Sequence, residues 1–210
     1  MLIDIFSDTV CPWCFIGKRH LEQALTETGI TDAIIQWHAF QLNPDMPAGG
    51  LDRKTYLAEK FGADAEQRIH ARLDNAGRSA GIEFQFDKII RSPNTLDSHR
   101  LIRLATNHGK QDAAVEALFR AYFIEGQDIG DRQVLLAIAG TLGLNGDLAA
   151  WFDSPAESDA VRNEDHTARQ LGISGVPFFI FERRHALSGA QPVDVLVRAL
   201  HTARNEIPVR

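Results

Sequence analysis

The sequence predicts an α/β protein made of a β-α-β unit, a long helical block and a closing β-β-α unit. Three observations carry that prediction. A short apolar strand, Leu2 to Phe6, feeds a stretch of helical periodicity. The chain from Asp52 to about Gly146 shows helical stripes with no strong strand signal over most of its length. Strand character then returns at PFFIF, Pro177 to Phe181. With 210 residues, 44% of them hydrophobic, the chain can bury a sizeable core.

Taken in order, the first strand sets Ile3 and Ile5 on one side and Leu2 and Phe6 on the other, the two-sided apolar character of a buried central strand. Ile16, His20, Leu21, Ala24 and Leu25 then recur at helical spacing, and Gly29 supplies a stop. A second strand reads IIQWHAFQL, Ile34 to Leu42, and ends at Asn43-Pro44-Asp45; the intervening helix implies a crossover and parallel pairing with the first strand. Asp52 caps a helix carrying Tyr56, Leu57, Lys60 and Phe61, and Ile69, Leu73, Ala76 and Ala80 mark another. Pro93-Asn94-Thr95 reads as a loop and cap before a helix from about Asp97, with ligand contact as its other use. Val115, Leu118, Phe119, Tyr122 and Phe123 form the clearest helical stripe and Leu135, Ile138, Ala139 and Leu142 the next; these aromatics read as core, not as a cofactor box. HALS, His185 to Ser188, returns beside PFFIF as a hairpin across Glu182-Arg183-Arg184, and a last helix from about Pro192 carries Val195, Leu196, Ala199 and Leu200. The expected organisation is one unit from residues 1–50 and 147–210, with residues 51–146 inserted into it.

Charge narrows the partners. Lysine and arginine total 22 against 28 acidic residues, and the net charge of -6 argues against attraction to nucleic acid or to an anionic membrane surface. No apolar stretch reaches the roughly 20 residues that span a bilayer. The opening MLIDIFSD lacks the basic start and apolar run of an export signal, so a soluble, cytoplasmic protein is expected.

The two cysteines, Cys11 and Cys14, lie together in FSDTVCPWCFIG. A structural disulfide there closes a very short loop and finds little persistence where thiols are kept reduced. A zinc site would need further ligands such as His20 or His38, and no second Cys-x-x-Cys or His-x(3–5)-His pair follows at finger-like spacing. The third use, a reactive dithiol, depends on the surroundings: the pair sits where a strand feeds a helix.

That placement, with GISGVPFFIF and SGAQPVDVLVRAL near the end, resembles a thioredoxin-like fold with an inserted all-helical domain, the DsbA-like arrangement. SDTVCPWCFIGK, FQLNPDMP, NTLDSHRL, LFRAYFIEGQDI and LGISGVPFFIF resemble the FrnE-like branch of that family over almost the whole chain. Kappa-class glutathione transferases and 2-hydroxychromene-2-carboxylate isomerases share the fold, commonly with serine at the position of Cys11; two cysteines favour dithiol redox chemistry. The resemblance implies a thiol-disulfide oxidoreductase with Cys11 as nucleophile and Cys14 as the thiol that resolves the mixed disulfide. The chemistry suits the place, because a helix start directs unpaired N–H groups and a positive dipole end at the first sulfur and favours a thiolate, the attacking species in exchange.

Pro12 and Trp13 shape the site in this reading. Pro12 suits a first helical turn, and Trp13 replaces the histidine of the periplasmic oxidant DsbA, which implies a less oxidising pair. Val176 and Pro177 are the implied substrate-binding residues, a cis bond between them exposing the Val176 backbone to an extended peptide. No metal and no tightly bound cofactor is implied. Glutathione enters as redox partner or co-substrate, the substrate as a thiol- or disulfide-containing protein or small molecule, and the chain as monomer or homodimer. Two alternatives stand beside this: a glutathione-dependent transferase or cis-trans isomerase for a small aromatic substrate, with an apolar pocket supplied by the insertion, and a non-redox peptide-binding or chaperone module.

His20, His38 and His99 read as packing or surface residues and stay outside the catalytic set. Asp4 and Asp8 flank the first strand; a buried acid there could relay a proton to Cys14, but the expectation is solvated strand ends.

Overall fold

The computed structural model describes residues 1–62 and 65–205, without the side chains of residues 65–68. Its main sheet runs in the order β2 (Ile34–Ala39), β1 (Leu2–Ser7), β5 (Phe178–Phe181), β6 (His185–Ser188). The strand β1 is central as expected, parallel to β2 with Ile5 beside Trp37 and antiparallel to β5 with Ile5 beside Phe179. Between β1 and β2 runs α1 (Pro12–Thr28), which ends where Gly29 turns to φ 64 and returns its N–H to the carbonyls of Leu25 and Thr26.

The second strand is shorter than its apolar run. The last ladder bond is Phe40 N–H to the Ser7 carbonyl at 3.0 Å. Beyond it the Gln41 N–H donates to Asp165 Oδ1 and the Leu42 N–H to Asp8 Oδ2, at 2.8 and 2.7 Å. Asp8 takes the Leu42 donor that a longer strand would have given to β1, while Asp165 takes the Gln41 donor on the outer edge, and no local pattern reports such competition.

In the insertion, β3 (Leu51–Asp52) pairs with β4 (Arg91–Ser92), a ladder too short to leave a periodic signature. The helices α2 (Arg53–Phe61), α3 (Ala65–Ser79), α4 (Leu96–Thr106), α5 (Gln111–Phe123) and α6 (Arg132–Thr141) match the helical stripes, and Asp52 caps α2 by accepting the Thr55 N–H at 2.9 Å. Two helices follow that the reading did not place, α7 (Leu148–Asp153) and α8 (Ser158–Gln170). The second is SDAVRNEDHTARQ; it buries Ser158, Val161, Asp165 and Ala168 on one face, and with so few apolar side chains its period is hard to see. The chain closes with α9 (Val193–Asn205).

The sheet separates two cores. On one face Ile3, Ile5, Trp37, Phe179 and Phe181 pack with Phe15, Ile16 and Leu21 of α1 and Leu196 and Leu200 of α9. This core runs on without a break into the insertion, because Phe15 stacks on Phe119 at 5.1 Å and meets Phe84 edge-on at 6.3 Å. On the other face a smaller cluster of Phe6, Phe40 and Ile173 packs against Ala168 of α8. Thus α1 is fixed on one side by the sheet and on the other by the insertion, and both control its N-terminal end.

Candidate active site at the start of the first helix

After β1 the chain turns through Asp8, Thr9 and Val10, and the Cys11 N–H closes the turn on the Asp8 carbonyl at 3.0 Å. Cys11 therefore becomes the N-cap of α1 with extended backbone, φ -92 and ψ 110, and Pro12 takes the first helical position where an N–H is not needed. The Cys11 carbonyl accepts from the Cys14 N–H at 3.0 Å and the Phe15 N–H at 3.4 Å, which starts the helix and sets Cys14 on its inner side. Both thiols are free.

Their surroundings differ. Cys11 is 4% exposed and its Sγ lies 3.5 Å from the Val176 carbonyl, to which the thiol donates; the Val176-Pro177 bond is cis. Cys14 is 1% exposed. Burial pushes the Cys14 thiol well above its ordinary range. The hydrogen bond and charge of Cys11 add to the rise, against opposing hydrogen bonds from the Ser7 side chain and the Asp8 backbone. Cys14 therefore keeps its proton at neutral pH. Trp13 is half-buried against the main core, with the Arg72 guanidinium of α3 over its ring at 5.3 Å.

Gly17 is a site residue the sequence did not disclose. A Cβ there would meet Pro177 Cγ at 2.9 Å and Phe179 Cζ at 3.1 Å, so its missing side chain lets α1 lie directly on the proline loop. It is a helical glycine chosen for closeness, which only the tertiary fold displays.

The acids are the clear correction. Neither Asp4 nor Asp8 is solvated: Asp4 is 9% exposed and Asp8 0%. Asp4 Oδ1 holds His38 Nε2 at 2.7 Å, and Asp8 Oδ1 faces His99 Nε2 at 3.3 Å while its Oδ2 accepts the Leu42 N–H. His20 Nδ1 meets the Gln191 carbonyl at 2.8 Å and joins α1 to the start of α9. The imagined zinc ligands His20 and His38 are thus engaged away from the cysteines. Of the three histidines only His99, buried at 3% exposure, comes to the turn that carries the dithiol.

Two sizeable recesses open elsewhere on the surface. One of about 500 Å³ lies between the segment after β2 and α2, lined by Asn43, Met46, Tyr56 and Lys60 among others; one of about 640 Å³ lies between the second sheet face and α8. Neither has a cysteine in its lining.

A dithiol at the N-terminus of the first helix, with a cis-proline loop against the outer sulfur, defines a thioredoxin-fold protein equipped for thiol chemistry. The chain belongs to the DsbA-like thioredoxin domain family, which it matches over residues 2–201. It is 27% identical to the uncharacterized protein YwbO of Bacillus subtilis (strain 168) over 203 residues, 94% of each chain. A probable DsbA oxidoreductase from Streptomyces coelicolor superposes with a TM-score of 0.90 at 31% identity, covering 100% of this chain and 93% of that one. The cytosolic disulfide reductase DsbM from Pseudomonas aeruginosa, solved with GSH, shares the fold with a TM-score of 0.71 at 23% identity, covering 98% and 100%. The fold also extends to a 2-hydroxychromene-2-carboxylate isomerase with a TM-score of 0.69 at 14% identity, covering 98% and 97%. Among the described residues no helix is long and apolar enough to cross a membrane.

Proposed function

We propose that the protein is a thiol-disulfide oxidoreductase in which Cys11 and Cys14 cycle between dithiol and disulfide. The observation that carries this reading is the unequal pair on one helical turn, with Cys11 Sγ against the Val176 carbonyl and Cys14 buried behind it. The Cys11 thiolate attacks a substrate disulfide, forms a mixed disulfide and releases the first substrate thiol. Cys14, once deprotonated, attacks the Cys11 sulfur, forms the Cys11–Cys14 disulfide and releases the second. Two electrons pass from the dithiol to the substrate. Two thiols of the glutathione class restore the dithiol and leave as their own disulfide, and the same steps reversed oxidise a substrate dithiol.

Val176 and Pro177 serve as the docking edge, the Val176 backbone pairing with an extended segment beside Cys11. Pro12 opens the helix without an N–H and Trp13 adds bulk without charge. The substrate is a disulfide-bearing peptide or small molecule in a reducing, cytoplasmic setting, and no metal or tightly bound cofactor takes part. Cys11→Ser is expected to abolish insulin-disulfide reduction with glutathione as reductant, whereas Cys14→Ser is expected to accumulate a mixed disulfide on Cys11, seen by mass spectrometry. Full turnover by the Cys11→Ser protein would overturn the reading.

A further inference from the structure

We propose that Arg72, which α3 brings over Trp13, makes the site select disulfides that carry carboxylates: its guanidinium receives a carboxylate of a small anionic substrate while Cys11 attacks the sulfur. The inference rests on the reading of Cys11 as the nucleophile and adds to it the charge of the substrate.

The dithiol segment itself offers no positive side chain. Pro12 and Trp13 fill the positions between the cysteines, and the whole chain carries a net charge of -6, so a small anion meets a repulsive molecule unless a cation stands where the reaction occurs. The insertion supplies one. The helix α3 packs against α1, and Arg72 sets its guanidinium carbon 5.3 Å from the centre of the Trp13 ring. Trp13 packs on the core to which Cys11 and Cys14 belong, so the cation is seated on a residue that lies between the two sulfurs in the chain.

Arg72 differs from the neighbouring cations in what holds it. Arg19 is bound to Glu22 and Glu116. Arg53 stands 5.8 Å over Phe86 but also donates to the Tyr122 hydroxyl at 3.1 Å. Arg78, further along α3, donates to Asn75 Oδ1 at 2.7 Å, and Lys60 of α2 donates to Asn43 and Tyr56 at 2.7 and 2.8 Å. Arg72 is exposed, and among the described residues no oxygen accepts a hydrogen bond from it and no carboxylate pairs with it. A ring contact orients a guanidinium without using up its N–H donors, and the fork of five donors matches the two oxygens of a carboxylate. The tryptophan thus holds the charge in place, as an acid does for Arg19, and leaves it uncompensated.

One guanidinium answers one carboxylate. An acidic protein surface would call for a row of cations, and the neighbours are already engaged, so a small disulfide is the better match of the two substrate classes. The carboxylate takes no part in the exchange itself. The Cys11 thiolate forms a bond to one substrate sulfur, the substrate S–S bond breaks, and the other sulfur departs with the electron pair as a thiolate. What the ion pair contributes is the residence and orientation of the disulfide before that step.

The test measures how fast the reduced full-length protein is consumed by three disulfides of different charge: the dianionic dithiobis-nitrobenzoate, the neutral hydroxyethyl disulfide and the dicationic cystamine. Remaining thiols are alkylated and counted by mass spectrometry. Each disulfide is its own reference, so differences in leaving group cancel in the ratio of variant to wild type. Arg72→Gln is expected to slow the reaction with the dianion about fivefold, to leave the neutral disulfide within about twofold and to speed the dication. Arg72→Glu should widen that contrast, Arg72→Lys should keep part of the wild-type preference, and about 0.5 M salt should erase most of it. The position is exposed on its helix, so all three replacements are compatible with folding. Rates that fall by one factor for all three disulfides overturn the proposal, because Arg72 then only props Trp13; rates unchanged in Arg72→Glu overturn it as well. The underlying reading fails differently: a Cys11→Ser protein that still consumes all three disulfides at the wild-type rate removes Cys11 as the nucleophile, whatever the charge preference.

Discussion

Two buried polar clusters lie one turn apart on α1 and are built on opposite principles. At the turn that carries Cys14 one carboxylate faces one imidazole, and the Thr9 and Ser98 hydroxyls pair with each other at 2.8 Å. Around Lys18, which is 4% exposed, carboxylates crowd in from two helices: Glu22 of α1, Asp112 of α5 at 3.1 Å and Glu116 of α5 at 3.5 Å. Arg19 bridges Glu22 and Glu116 and lies 4.8 Å over the Phe15 ring. Burial would lower the lysine pKa, yet Asp112 and Glu22 outweigh it and the Lys18 pKa is raised. The crowded cluster holds its proton and clamps the insertion to α1. The other holds, among the described residues, a single carboxylate and no lysine or arginine ion pair. Counting buried charges does not separate structure from chemistry; counting how completely each is compensated does.

The largest effect is expected from breaking the clamp. Lys18→Met keeps most of the stem and removes the ammonium, leaving three carboxylates and one arginine. Breaking a buried pair costs about 3–5 kcal/mol, and because Glu22 and Asp112 are 42% and 53% exposed and can turn to water, about 2 kcal/mol is expected here. Urea unfolding reads this as a lower midpoint with an unchanged slope. Resolution by Cys14 in the folded protein should keep the wild-type pH profile; a shifted profile would mean that the two clusters are one network.

Gly17 stands between the clusters and sharpens the contrast from the other direction. Gly17→Ala improves helix propensity by about 1 kcal/mol. It also places a methyl group 2.9 Å from Pro177 Cγ, an overlap worth about 1–3 kcal/mol if nothing moves. The two nearly cancel in stability, but the proline loop must shift away from Cys11, and a displacement near 1 Å is enough to lose about tenfold or more in rate. The expected result is a near-native melting temperature with insulin reduction down about tenfold; a variant with wild-type turnover would show that the loop's distance from α1 does not matter.

The same contrast marks what was legible in the sequence. The dithiol, the strand before it, the helix after it and the late Gly-Val-Pro were readable because each is a local signal, and together they placed the outer sulfur beside Val176. Gly17, Asp8 and His99 were not, because their roles depend on residues that are distant in sequence: Pro177, and for the acid and imidazole each other, 91 positions apart. The expectation that Asp8 sits at a solvated strand end failed because Leu42 and His99 close over it, and the end of β2 moved because Asp8 claims the Leu42 amide that would face β1. Period and propensity report what a residue is next to along the chain, and buried polar groups are placed by what the fold brings across it.

The smallest prediction separates the clusters by pH. Burial would raise the Glu22 carboxyl, but the hydrogen bonds and charges of Lys18 and Arg19 prevail and its pKa lies below the ordinary value. A lowered folded pKa gives stability that is complete above the unfolded value, about 4.3, and is lost as pH falls through the folded one. Lys18 has the opposite sign: its raised pKa gives stability present below about 10.4 and lost as pH rises through the folded value. The clamp should therefore be flat across neutral pH. Glu22 is 42% exposed, so solvent screening limits its share to a few tenths of a kcal/mol, about what an exposed pair contributes. Comparing urea midpoints of the wild type and Glu22→Gln, the gap should be constant from about pH 6 to 9 and close below about pH 4. A gap that instead changed between pH 6 and 9, in step with the resolution rate, would tie Glu22 to the dithiol and make the two clusters one.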